Sequence, residues 1–140
     1  MAELSKEQCE KLKEWGMGQT HLDVVHYYDV NLDGPRWAIH TNGGKLDEWE
    51  IKIPTITELK EFAWEMAQEF SSHWEWKYRP VGISTRWYAL RKQHTASILR
   101  VDDLLFYHIN SGVVFIVLAP TESLALFKLI EKIWEARHEG

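Results

Sequence analysis

Apolar residues repeat at helical spacing in three stretches of this chain and alternate or run together at strand spacing between them. The first stretch, Ser5 to Trp15, puts Cys9, Leu12 and Trp15 on one stripe. Ser5 and Gln8 have capping-box spacing, and Gly16 suits a left-handed stop. In the second, Thr55 and Glu58 repeat that spacing directly after Pro54. Leu59, Phe62, Ala63, Met66, Ala67 and Phe70 then follow the i, i+3, i+4, i+7 pattern without a gap. Phe62, Met66 and Phe70 are therefore expected in the core, whereas Trp64 falls about 130° from the centre of the stripe and is a candidate exposed contact. The third stretch opens at Pro120-Thr121 and runs to about His138. Its Leu124, Leu126, Phe127, Leu129, Ile130, Ile133 and Trp134 cover more than one stripe, which implies deep burial or a homodimer through Leu126, Leu129 and Ile133.

The segments between read as strands. Leu22 to Val30 alternates, Asn31-Leu32-Asp33-Gly34 is a turn signal, and Arg36 to Thr41 is closed by the hairpin signal Asn42-Gly43-Gly44. In Glu48 to Ile53, alternation sends Trp49, Ile51 and Ile53 inward and Glu48, Glu50 and Lys52 outward. Trp74, Trp76 and Tyr78 alternate with Glu75, Lys77 and Arg79, and Thr85 to Leu90 and Ser97 to Val101 follow. Lys92 to Ser97 reads as a donor-rich loop. Leu104 to Ile109 and Val113 to Leu118 form a hairpin around Asn110-Ser111-Gly112, and the unbroken apolar run of Val113 to Leu118 suits a central strand covered on both faces.

The resulting order, α-βββ-α-βββββ-α, predicts an α+β fold: a largely antiparallel sheet of about six to eight strands packed by two or three helices. At 140 residues, with no linker or repeat, residues 1–140 are expected to form a single α+β domain. Cys9 is the only cysteine, so no internal disulfide forms, and a reducing, cytoplasmic setting is expected. No signal-peptide pattern opens the chain, and the longest apolar run, Val113 to Ala119, is too short to cross a bilayer. Membrane partners are therefore not expected. Eight tryptophans are many for this length and are expected in the core or at an interface.

Charge changes the picture. The chain carries a net charge of −5, yet Lys77 to Arg100 holds six bases (Lys77, Arg79, Arg86, Arg91, Lys92, Arg100) and no acid. Bulk coating of nucleic acid is disfavoured by the net charge, so an anion must use this local patch. Trp74, Trp76, Tyr78, Trp87 and Tyr88 crowd the same region. Cations among flat rings suit a ligand with negative charge and a π-face. Arg86, Trp87, Tyr88, Arg91, Lys92, His94 and Arg100 are the candidate ligand contacts. The blander account is a solvated strand face whose cations pair with acids elsewhere.

Other constellations are thinner. Glu50-Ile51-Lys52 is a Glu-x-Lys on a strand, with Asp33 upstream and Glu10 or Glu14 on the first helix. Carboxylates so placed suit Mg²⁺, with the lysine orienting water. The order helix, three strands, helix, strand over roughly the first 80 residues resembles the core of the PD-(D/E)xK nuclease fold, which implies a metal-dependent nuclease as one alternative. No Pro precedes Asp33, which sits in a turn signal. A solvent face with cross-strand ion pairs explains the same residues. His26, His40 and His108 fall on three strands, but no His-x-x-x-His pair or cysteine cluster accompanies them, so no metal site or cofactor is expected. Nucleophile-elbow and P-loop patterns are missing from the sequence.

The sequence thus leads to a small non-catalytic binding protein that sequesters an anionic, nucleotide-like ligand. A protein-binding inhibitor or immunity-type protein is the alternative. Its acidic first half (Asp29, Asp33, Asp47, Glu48, Glu50) would face a basic partner, with Trp64 as anchor.

Overall fold

The computed structural model describes residues 4–21, 24–39, 44–73, 80–100 and 116–138. They form an α+β fold of three helices and short antiparallel sheets, and the chain divides into two compact units, Met1–Thr55 and Ile56–Gly140.

The first unit begins with α1 (Lys6–Glu14). Ser5 Oγ accepts from Gln8 N at 3.2 Å, and Ser5 N donates to Gln8 Oε1 at 2.8 Å, so the capping box is complete. Ser5→Ala should lower the unfolding free energy by about 1 kcal/mol in a denaturant titration, because the Gln8 amide loses its partner. The helix stops at Gly16, whose φ of +100° lets Gly16 N donate to Lys13 O and Met17 N to Leu12 O. Cys9 and Leu12 supply the buried stripe, while Trp15 is half-buried.

Three strands, β2 (Val24–Asp29), β3 (Pro35–Ile39) and β5 (Glu50–Ile53), form an antiparallel sheet in the order β3-β2-β5. The β2–β3 turn is the expected one: Asn31 N donates to Asp29 Oδ1, and Gly34 takes a φ of +81°. The expected hairpin at Asn42-Gly43-Gly44 is corrected as far as it is described. Gly44–Lys45 (β4) pairs with Thr20–His21 (β1), and β5 pairs with β2 rather than with β3. Tyr28, Ile51 and Ile53 are buried with Leu4, Cys9 and Leu12, and Tyr28 Oη donates to Leu4 O at 2.7 Å.

Two inward–outward assignments on β5 are corrected. Trp49 is 51% exposed, because β5 begins only at Glu50 and Trp49 belongs to the preceding turn. Lys52 is buried. Its N–H donates to Gln19 Oε1 at 2.9 Å, and Ile51, Lys52 and Ile53 are all buried, so both faces of β5 are covered. A lysine stem tolerates such cover because it is largely hydrocarbon.

The second unit contains α2 (Ile56–His73), β6 (Pro80–Tyr88), β7 (Gln93–Arg100), β8 (Ile116–Ala119) and α3 (Glu122–His138). The strands form an antiparallel sheet in the order β6-β7-β8. The described strands therefore lie in separate small sheets instead of one. Leu59, Ala63, Met66 and Ala67 are buried on α2, as the stripe requires. Phe62 is half-buried instead of buried, Trp64 is half-buried instead of exposed, and the side chain of Phe70 lies outside the described residues. On α3, Leu126, Leu129, Ile130 and Ile133 have no exposed surface, so burial within one chain accounts for the helix's broad apolar surface. Thr121 Oγ1 caps α3 by accepting from Leu124 N. None of the tryptophans whose side chains are described is buried; Trp37, Trp49 and Trp87 are exposed and Trp15, Trp64 and Trp134 half-buried, so of the two expected places, core or interface, the core is not where these six lie.

Two further expectations change. Gln93 to Ser97 belongs to β7 and is not a loop. Ile116 on β8 is 56% exposed, and β8 lies at the edge of the described sheet, not at its centre. The preceding Val113 to Phe115, the hairpin around Asn110, and Trp74 to Arg79 lie outside the described residues. No described helix is long and apolar enough to cross a membrane.

Candidate functional site: an arginine–aromatic cavity on the sheet

Register places the side chains of the second sheet. Directly opposed residues of an antiparallel ladder share a face. Thr85, Ala96 and Val117 form one row, and Trp87, His94 and Ala119 another on that same face. Ala96, Ile98 and Ala119 are buried there, and Thr85 Oγ1 donates to Glu122 Oε1 of α3 at 2.7 Å, so this face turns to the helices. Lys60 of α2 holds the same carboxylate oxygen at 3.6 Å. Glu122, in the first turn of α3, is well placed for the helix dipole as well.

The opposite face carries the rows Arg86–Thr95–Leu118 and Ser84–Ser97–Ile116, with Tyr88 opposed to Gln93 at the hairpin end. Here lies a cavity of about 550 Å³ lined by Arg86, Trp87, Tyr88, Arg91, Thr95, Ile116 and Leu118. Arg86, Tyr88 and Ile116 are exposed, and Thr95 and Leu118 half-buried. Glu122, held by Thr85 and Lys60, lies on the helix side and leaves these guanidinium groups unopposed by it.

The turn supplies Arg91. Ala89 to Lys92 joins β6 to β7, with Arg91 N donating to Tyr88 O and Lys92 N to Ala89 O. Lys92 closes it with a φ of 51°, the left-handed region. Lys92→Gly should raise the unfolding free energy by up to about 1 kcal/mol, since glycine takes that conformation without a Cβ clash. An unchanged denaturation midpoint would show that the turn carries no strain.

Four of the expected ligand contacts, Arg86, Trp87, Tyr88 and Arg91, line this one cavity. Lys92 and His94 do not, and the side chain of Arg100 lies outside the described residues. Lys92 is exposed on the turn outside the lining. His94 lies opposite Trp87 on the helix-facing side, with ring centroids 4.9 Å apart. Arg100 sits at the far end of β7 opposite Pro80, roughly 16 Å along the strand from Thr95. Trp87 reaches the cavity wall from the end of β6, one residue before the turn. Sequence reasoning counts the Thr95 hydroxyl only among the donors of a loop, and misses Ile116 and Leu118, which stand opposite β7 only because β8 pairs there.

The acidic alternative draws on residues of both units. Asp47 and Glu48 are exposed, and Glu50 is half-buried with Oε1 accepting from Asp47 N. Trp64, their expected companion, belongs to the second unit. For the nuclease alternative, Asp33 is exposed in the β2–β3 turn, Glu10 half-buried and Glu14 exposed on α1, and Lys52 buried. His26 is exposed opposite Trp37, whereas His40 and His108 lie outside the described residues. Among the described residues no three of His, Cys, Asp and Glu are grouped to hold a metal ion. No protein-family model, curated protein or solved structure matches the chain.

Proposed function

We propose that this protein is a non-catalytic binding protein that holds a small anionic, nucleotide-like ligand on the face of β6, β7 and β8 opposite the one turned to the helices. The observation that carries the reading is the cavity of about 550 Å³ whose wall joins Arg86 and Arg91 to Trp87 and Tyr88. Its volume lies within the roughly 300–1,000 Å³ of small-molecule sites. The guanidinium fork matches phosphate oxygens with paired donors, and a ring offers a stacking face for a base. The acid-free segment from Lys77 to Arg100 gives local attraction in a chain whose net charge is −5.

Calorimetric titration of the intact protein with nucleoside mono-, di- and cyclic phosphates tests this. Saturable binding is expected, and it should weaken as salt rises toward ~1 M, where the screening length falls to about 3 Å. No heat from any of them at millimolar ligand, with the protein folded, removes the reading.

A second reading, an acidic inhibitor or immunity-type surface, is favoured by the exposed Trp49. Its carbonyl accepts from Val30 N at 2.9 Å, and Val30 is itself 41% exposed. Exposed Asp47 and Glu48 precede Trp49 in the same turn region. Trp49, in place of Trp64, is then the anchor to test by Trp49→Ala against a basic partner protein.

A further inference from the structure

The cavity is chemically lopsided across the strands. Its cations, Arg86 and Arg91, stand on β6 and the turn, whereas its apolar wall, Leu118 and Ile116, stands on β8. Two strand spacings, roughly 9–10 Å, separate these sides. Between them Thr95 is the polar lining residue, and its hydroxyl donates to Arg86 O at 3.3 Å. That hydrogen is engaged, so Thr95 offers a ligand only an acceptor. The other lining donors, the two guanidinium groups, the Tyr88 hydroxyl and the Trp87 indole N–H, lie on β6 and the turn.

Resting on the reading above, we infer that the ligand is a one-ended aromatic phosphomonoester lying across the strands. Its phosphate sits at Arg86 and Arg91, its ring system extends over Leu118 and Ile116, and no base edge is read. Tyr88 is the stacking residue. It shares a face with Arg86 two positions away along β6, while Trp87 pairs with His94 on the other face at an interplanar angle of 59°. Stacking tolerates any flat ring, because every base has a π-face. Selectivity between bases needs hydrogen-bond partners along the ring edge, and Leu118 and Ile116 provide none. The site thus selects for one anionic end and a flat apolar body, and against a second charge at the far end, where among the described lining residues no polar side chain on β8 compensates its desolvation.

The test is a competition series on the intact protein with the four common nucleoside monophosphates, an unphosphorylated nucleoside, inorganic phosphate, 1-naphthyl phosphate, and a naphthalene bisphosphate with its two phosphates at opposite ends. The four nucleotides should bind within about fivefold of one another, and 1-naphthyl phosphate should bind at least as tightly. The nucleoside and the bisphosphate should each be weaker by about tenfold or more. Ile116→Ser, at an exposed position that leaves folding intact, should weaken 1-naphthyl phosphate several-fold and leave inorganic phosphate unchanged. A preference of about fiftyfold for one base, or equal binding of the bisphosphate, overturns this inference and leaves the anion site standing. Failure of every phosphate in the series, 1-naphthyl phosphate included, overturns the site itself.

Discussion

Leu129→Ala should cost about 2–5 kcal/mol of stability and lower the thermal midpoint on the order of 10 °C. Leu129 has no exposed surface, and Leu126, Ile130 and Ile133 on the same helix are equally enclosed. Removing its isobutyl group loses transfer free energy and leaves a cavity that close-packed neighbours refill only in part. Leu90, 86% exposed at the hairpin turn, is the matched control. Leu90→Ala should change stability by no more than about 0.5 kcal/mol. The loss at Leu129 should also be the same at micromolar and at tenfold higher protein concentration, because the side chain is covered within one chain. A midpoint that climbs with concentration would mark subunit association instead. A Leu129→Ala midpoint within about a degree of wild type would remove α3 from the core.

What sequence made legible follows from how local each signal is. The α1 cap was readable because Ser5, Gln8 and Gly16 act within one turn of the helix and need no distant partner. The α2 stripe was readable at Leu59, Ala63, Met66 and Ala67 for the same reason. Phe62, between them, is only half-buried, because the stripe fixes which face it shares but not how far that face is covered. Strand pairing is the opposite case. Asn42-Gly43-Gly44 signals a hairpin locally, yet β5 pairs with β2, a choice set by which strands bury Tyr28, Ile51 and Ile53 together. Lys52 shows the limit of alternation. Period two assigns a face, but only the packing of the folded chain decides whether that face meets water, and Lys52 on the outward-reading face is buried.

The site divides the same way. Arg86 and Tyr88 were legible as a pair because residues two apart on a strand share a face. His94 was misassigned because the segment from Gln93 reads as polar loop, and once it is strand, register sends His94 to Trp87 on the helix side. Leu118 and Ile116 were invisible as site residues, since their place opposite Thr95 and Ser97 is a property of the ladder between β7 and β8. Arg100 shares in the charge pattern, but its backbone stands five residues along β7 from Thr95, a separation that composition does not carry.

That distinction between pattern and place sets the second large effect. Arg86→Ala and Arg91→Ala should each weaken phosphate-ligand binding by about 1.5–3 kcal/mol, if each guanidinium donates a charge-assisted hydrogen bond. The double variant should abolish measurable binding to a ligand of micromolar affinity, and its loss should fall short of the sum, because both groups act on one anion. Lys92→Ala removes the same unit of charge one residue from Arg91, at a position outside the cavity lining. If binding follows the general field of the basic segment, all three single variants should weaken it alike. If it follows contact, Lys92→Ala should cost no more than the few tenths of a kcal/mol of a screened surface charge. Titrations at low and at high salt separate the two further. The part of the Arg86 effect that persists at high salt is the hydrogen-bonded contact, and the part that vanishes is long-range attraction. Equal losses at Arg86, Arg91 and Lys92, all erased by salt, would reduce the cavity to a charged surface and withdraw the claim of a built binding site.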